Sequence, residues 1–236
     1  MKVEVWSDVA CPFCYIAKVR LEKALSELGF ANEIQVIWKS FMLNPNLVTD
    51  LNLSITDYLI NTKDLLPEEV EEMNQYITEM ASKSGLELNI DKIVVANTRK
   101  AHNLIHYAKS KGKQSEMKSR IFKAYFTEGR NVDDIDELVL MAKVVGLETE
   151  NLKEILSNEV FNNDIETEIY ESRQIGVRGV PHFVIDNKYV INGAQEQSIF
   201  SQTIEKAYTG WKQANGDKTN ISINGLQCDI DGKCNS

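Results

Sequence analysis

The sequence predicts an α/β fold interrupted by a large all-helical insertion. Three observations lead there. Residues 2–43 read as strand, helix and strand. From Ile55 to Gln174 helical periodicity and stop signals recur without a convincing strand. After Gly176 the pattern returns to two short strands and an amphipathic helix. Strands split by a helical block imply a layered α/β unit with a second, helical unit inserted into it.

Taken in order, Lys2-Val-Glu-Val-Trp6 alternates as a short strand does, and Ile16, Val19, Leu21, Ala24, Leu25 and Leu28 then recur at helical spacing up to a stop at Gly29. Asn32 to Leu43, rich in β-branched and aromatic residues, predicts a second strand and so a right-handed βαβ unit. Asn44-Pro45-Asn46 makes a turn. Helices are predicted over 56–62, from Pro67 to a stop at Gly85, over 97–110, over 114–128, from a cap at Asp133 to Gly146, and over 149–157 and 160–174. Pro181 leads into a strand, Asp186-Asn187-Lys188 forms a tight turn, and a second strand runs to Asn192. Gln195 to Tyr208 predicts the last helix. Residues 211–236, rich in Asn, Gly and Asp, predict a polar tail. The expected organisation is a discontinuous domain of residues 1–54 and 175–210, a helical insertion over 55–174, and the tail.

A chain of 236 residues with 43% hydrophobic and 26% charged content is ordinary for a globular protein with a sizeable core. Its net charge of −9, without a Lys/Arg-rich run, argues against a nucleic-acid partner. No apolar run is long enough to span a bilayer and no basic, then apolar, leader opens the chain, so a cytoplasmic location is expected. The four cysteines fall into two close pairs, Cys11/Cys14 and Cys228/Cys234, too few for a disulfide scaffold.

Cys11-Pro12-Phe13-Cys14 falls where a strand turns into a helix. The first helical turn carries unpaired N–H groups and the positive end of the peptide dipoles, which favour an anion. A thiol there can have its pKa lowered from about 8.5 to about 3.5–7.5 and become a nucleophile at neutral pH. Pro12 suits the first helical position. The spacing predicts an exposed attacker at Cys11 and a shielded resolver at Cys14. The same spacing occurs in zinc knuckles, to which Cys228 and Cys234 could contribute, but Pro-Phe between the cysteines suits a helix start better. His102 and His106 stand four apart on one predicted helix, a spacing that could hold a metal, yet no third ligand announces itself. No metal site is assigned.

Several blocks together carry a family resemblance: Ser7-Asp8-Val9-Ala10-Cys11-Pro12-Phe13-Cys14-Tyr15-Ile16, Phe41-Met-Leu-Asn44-Pro45, Asn97-Thr98 with Ala101-His102, Ala124-Tyr-Phe-Thr-Glu-Gly129, Gly176-Val-Arg-Gly-Val-Pro181 and Asn192-Gly-Ala-Gln195. They resemble the DsbA family of thiol–disulfide oxidoreductases, in its FrnE-like branch. That branch has a thioredoxin fold with a helical insertion and is related to the 2-hydroxychromene-2-carboxylate isomerase and kappa-class glutathione transferase group.

The resemblance implies that Cys11 forms a mixed disulfide, that Cys14 resolves it, and that Pro181 is cis and faces Cys11. With no N–H on Pro181, the Val180 backbone is left free to pair with an extended substrate. Substrates are expected to be protein or small-thiol disulfides, held in a cleft between the two units by Pro12, Phe13, Val180, His182 and His102. No cofactor is implied beyond the redox disulfide, with a thiol or glutathione as co-substrate. Pro-Phe, with no histidine beside Cys11, implies a less oxidising pair than that of periplasmic DsbA. Cys228/Cys234 would be a second redox pair acting as an electron relay, a structural clip or a pair of idle thiols. The alternatives are a glutathione-dependent isomerase or transferase, disfavoured because cysteines stand where those relatives use serine, and a zinc-stabilised or chaperone-like binding module.

Overall fold

Alternation along Lys2–Ser7 places Val3 and Val5 on one face, and these residues form the central strand β1. The chain then turns into α1 (Pro12–Ser26) and returns as β2 (Gln35–Ser40), parallel to β1. This is a computed structural model, and it describes residues 1–63 and 65–215. After the helical insertion, β3 (His182–Ile185) pairs antiparallel with β1, and β4 (Tyr189–Asn192) antiparallel with β3, giving the strand order β2-β1-β3-β4 among the described residues. Asp186 and Asn187 turn the β3–β4 hairpin at φ of 51° and 53°, a left-handed conformation that Asp and Asn tolerate better than other side-chain-bearing residues.

Two boundaries differ from the expectation. The segment before β2 is drawn into a 3₁₀ turn at Ala31–Glu33, which shortens the strand. The last helix, α9 (Gln197–Asn215), runs past Tyr208. Its polar-looking end has partners in that turn: Tyr208 stacks on Phe30, and both Tyr208 Oη and Lys212 Nζ donate to the Glu33 carboxylate. A helix whose end is held by tertiary contacts survives a composition that would fray in isolation.

The insertion comprises α2 (Ile55–Lys63), α3 (Pro67–Lys83), α4 (Arg99–Ser110), α5 (Gln114–Phe126), α6 (Ile135–Val144), α7 (Leu152–Ser157) and α8 (Asn162–Gln174). Asp134, not Asp133, caps α6 by accepting from the Glu137 N–H, while Asp133 is taken by Thr49 and Lys100. Gly129 follows α5 at φ +66°, and a Cβ there would lie 2.7 Å from the Lys92 carbonyl oxygen, so the 3₁₀ turn at Ile90–Lys92 packs directly on its backbone.

Helix α1 belongs to two cores. Its first turn, with Cys11, Cys14, Tyr15 and Ile16, packs among Leu104, Phe122, Phe126 and Leu138 of the insertion. Its next turns, with Ala17, Leu21 and Ala24, pack on Val3, Val5, Phe183 and Ile185 of the sheet and on Phe200 and Ile204 of α9. The opposite face of the sheet meets α8, where Trp6 Nε1 donates to the Glu168 carbonyl at 3.0 Å. There the Glu168 carboxylate takes the Ser40 N–H, His106 and Lys109; burial would raise its pKa, but these partners outweigh that and bring it down to about 2.

Two lysines are fully buried around Trp38. Lys18 Nζ lies 5.5 Å and Lys118 Nζ 6.0 Å from the indole centroid. Lys18 reaches Glu22 one turn along. Lys118 lies 5.1 Å over Phe122 and, among the described residues, donates only to the Ser7 carbonyl, at 3.3 Å, and burial pushes its pKa down to about 8.

The lowered Lys118 pKa sets a pH dependence. Between pH 8 and 10.5 the unfolded chain holds the Lys118 proton and the folded one does not, so this group makes stability rise with pH across that window. Denaturation of wild type and Lys118→Met at a series of pH values is expected to show the wild type gaining about 3 kcal/mol on the variant across it. Gly129→Ala, which must bear the left-handed φ and displace the Lys92 carbonyl, is expected to cost about 2 kcal/mol or more in the same measurement.

Candidate active site

Strand β1 ends at Ser7, and Asp8 to Ala10 turn the chain so that Cys11 is the N-cap of α1, extended at φ −98° and ψ 110°, with Pro12 in the first turn. Cys14 lies nearly one turn on and donates its backbone N–H to the Cys11 carbonyl at 3.0 Å. Both cysteines are free thiols. Across from them the chain enters β3 through a cis Val180–Pro181 peptide, and Cys11 Sγ donates to the Val180 carbonyl at 3.5 Å. Pro181 is buried, and its own carbonyl accepts from the Gly193 N–H.

The spacing predicts an exposed Cys11; instead its relative exposure is 3% and that of Cys14 is 0%, because the insertion closes over the start of α1. The expected lowering of the Cys11 pKa is overturned too. The thiol is pushed well above the ordinary range, first by its hydrogen bond to the Cys14 side chain, then by burial, and further by unfavourable electrostatics from its neighbour Cys14 and from the Asp8 carboxylate. The Cys14 backbone N–H, the contribution of the helix start, works the other way and is outweighed.

Asp8 is the anion beneath this turn. Its carboxylate accepts from the Leu43 N–H at 2.7 Å, Thr98 Oγ1 at 2.9 Å, His102 Nε2 at 3.2 Å and the Ala10 N–H at 3.5 Å. Burial alone would raise its pKa; the hydrogen bonds from His102, Leu43 and Thr98 outweigh it and hold the carboxyl below the usual range. Burial keeps His102 below the usual histidine range, so a neutral ring donates its Nε2–H to a carboxylate that can only accept.

In front of Cys11 lies a cleft of about 480 Å³ between the sheet domain and the insertion. Cys11, Pro12 and Phe13 meet Gly179 and Val180 there, facing side chains of α2, α3 and the segment around Ile90 and Ile93. Pro12, Phe13 and Val180 thus line the cleft beside Cys11.

His182 does not line it. Strand alternation sends Phe183 toward α1 and α9, so His182 points to the opposite face, where Nδ1 meets Asn192 Oδ1 at 2.7 Å and the ring abuts Trp6. His102 stands behind the cleft wall, acting on it through Asp8. His102 and His106 share a helix but turn to different carboxylates, Asp8 and Glu168. Among the described residues no group of three His, Cys, Asp or Glu is placed to hold a metal, and no helix is long and apolar enough to cross a membrane. Cys228 and Cys234 lie outside the described residues. Sequence reasoning gave no role to Asp8, Lys18 or Lys118. The signal was present for the lysines: Lys118 shares a helical face with Ile121, Phe122 and Tyr125, and Lys18 one with Cys14, Leu21 and Leu25.

Comparison with known proteins agrees with this fold. A family model described as a DSBA-like thioredoxin domain matches residues 2–205. The Bacillus subtilis protein YwbO, itself described as uncharacterized, is 29% identical over 205 residues, covering 86% of this chain and 94% of YwbO. The probable DsbA oxidoreductase SCO1869 of Streptomyces coelicolor superposes with a TM-score of 0.83 at 29% identity, over 100% of this chain and 99% of that one. The cytosolic disulfide reductase DsbM of Pseudomonas aeruginosa shares the fold, with a TM-score of 0.62 at 15% identity over 91% of this chain and 98% of DsbM. With a match that spans both the sheet domain and the insertion, the chain belongs to the DSBA-like thioredoxin domain family.

Proposed function

We propose that this protein exchanges thiols and disulfides through Cys11 and Cys14. The observation that carries this reading is the placement of Cys11 Sγ at the N-cap of α1, 3.5 Å from the Val180 carbonyl and at the edge of a cleft, with Cys14 directly behind it. Cys11, on losing its proton, attacks one sulfur of a substrate disulfide. The S–S bond breaks, one substrate thiol leaves with a proton, and a mixed disulfide remains on Cys11. Cys14 then attacks the Cys11 sulfur, releases the second substrate thiol and closes the Cys11–Cys14 disulfide, so that two electrons pass to the substrate. The reverse sequence oxidises a dithiol. The Val180 backbone, followed by a residue that has no N–H, offers its carbonyl to an extended substrate once Cys11 is engaged.

A strongly oxidising pair owes its potential to a stabilised reduced form. Here the Cys11 thiolate is disfavoured by Cys14, burial and Asp8, which supports the reductive direction and, with it, work in a reducing compartment such as the cytoplasm.

Two measurements test this reading. Cys14→Ser should accumulate mixed disulfides through Cys11 and Cys11→Ser should lower disulfide turnover by on the order of 10³-fold; full activity in Cys11→Ser would sink the reading. Site-resolved alkylation of Cys11 against pH is expected to rise only above the ordinary thiol range. In Cys14→Ala the profile should move to lower pH, since the side-chain hydrogen bond that holds the proton is gone.

A further inference from the structure

The cleft in front of Cys11 carries more than a place for a disulfide. Leu47, Ile55, Leu59, Met73, Ile77 and Ile93 make its walls mostly aliphatic. Its charged lining, among the described residues, is limited to Asp8 and Lys63. Asp8 is 1% exposed, and both of its oxygens are already taken by protein donors. A ligand with several carboxylates would meet one cation at the rim and a fixed anion at the floor. Cys11 shows only 3% of its surface, so a disulfide within a bulky chain reaches the sulfur poorly and a slim one reaches it well. The volume of about 480 Å³ suits a small molecule.

Resting on the thiol–disulfide reading above, we propose that the cleft selects a low-molecular-weight disulfide with an apolar alkyl or aryl body and disfavours glutathione disulfide. The reduced pair supplies two electrons and two protons. One RSSR becomes two RSH, Cys11 and Cys14 become a disulfide, and an external dithiol restores them between turnovers. Burying one methylene is worth about fourfold in affinity, so a butyl chain that fills part of the cleft gives a preference above tenfold.

The test uses pre-reduced full-length protein freed of reductant and follows oxidation of the Cys11/Cys14 pair by peptide-resolved thiol alkylation, which separates it from Cys228 and Cys234. The disulfides are dibutyl disulfide, glutathione disulfide and an unfolded cystine-containing polypeptide. Each rate is divided by that of N-acetylcysteine with the same disulfide, which removes intrinsic reactivity. Dibutyl disulfide should exceed glutathione disulfide at least tenfold and exceed the polypeptide as well. Leu59→Lys places a second cation in the cleft on α2, a helix without fully buried side chains, and should narrow that ratio from both sides. Equal or faster oxidation by glutathione disulfide or by the polypeptide overturns the substrate assignment while thiol exchange stands, as does a ratio unmoved by Leu59→Lys. If none of the three oxidises Cys11 faster than the free thiol, the proposed function itself fails.

Discussion

Much of this structure hangs on one buried carboxylate. Asp8 gathers hydrogen bonds from the segment after β2 through Leu43, from α4 through Thr98 and His102, and from its own turn through Ala10. A charge removed from water is tolerable only when its lone pairs are met, and the donors that meet this one come from both units of the chain. Docking of the insertion on the sheet domain and burial of Asp8 are therefore one event. The same carboxylate contributes to the field under Cys11, so the interaction that closes the fold also disfavours the thiolate at its reactive turn.

Helix α1 is the mechanical counterpart of that electrostatic joint. Because its first turn belongs to the insertion's core and its later turns to the sheet's, the two cysteines sit on the seam between them. Arg20, on the same helix, donates to Ser84 at the end of α3 and to the carbonyls of Ala194 and Gln195 before α9, so the seam is tied at both ends. A reactive turn held between two packed bodies is preorganised, and it is reached through the cleft the bodies leave between them.

The parts of the fold legible in the sequence were those fixed locally. The strand-to-helix switch at Cys11, the helical stop signals and the Asp186-Asn187 turn each depend on a few neighbouring residues, and each appears where expected. The family assignment followed from motif blocks spread along the chain and is shown by the match over residues 2–205. What was not legible was set by distant residues. A CxxC spacing does not say that an insertion will cover Cys11, nor that Asp8 beneath it stays ionised. His182 follows Pro181 in sequence, but the period of two that its strand imposes turns it away from the cleft. Lys18 and Lys118 fall on apolar stripes, but only the folded chain shows that Trp38 and Phe122 cover them, and the end of α9 reads as tail until Phe30 and Glu33 meet it.

The backbone contact at Gly129 reaches further than its own turn. Lys92, against which it packs, lies in the short segment whose neighbours Ile90 and Ile93 form one wall of the cleft. The shape of that wall thus depends on a position with no side chain, just past Tyr125 and Phe126 of α5, which line the cleft themselves. A shift of this wall as a unit would reshape what the cleft accepts while the turn that carries Cys11 stays in place.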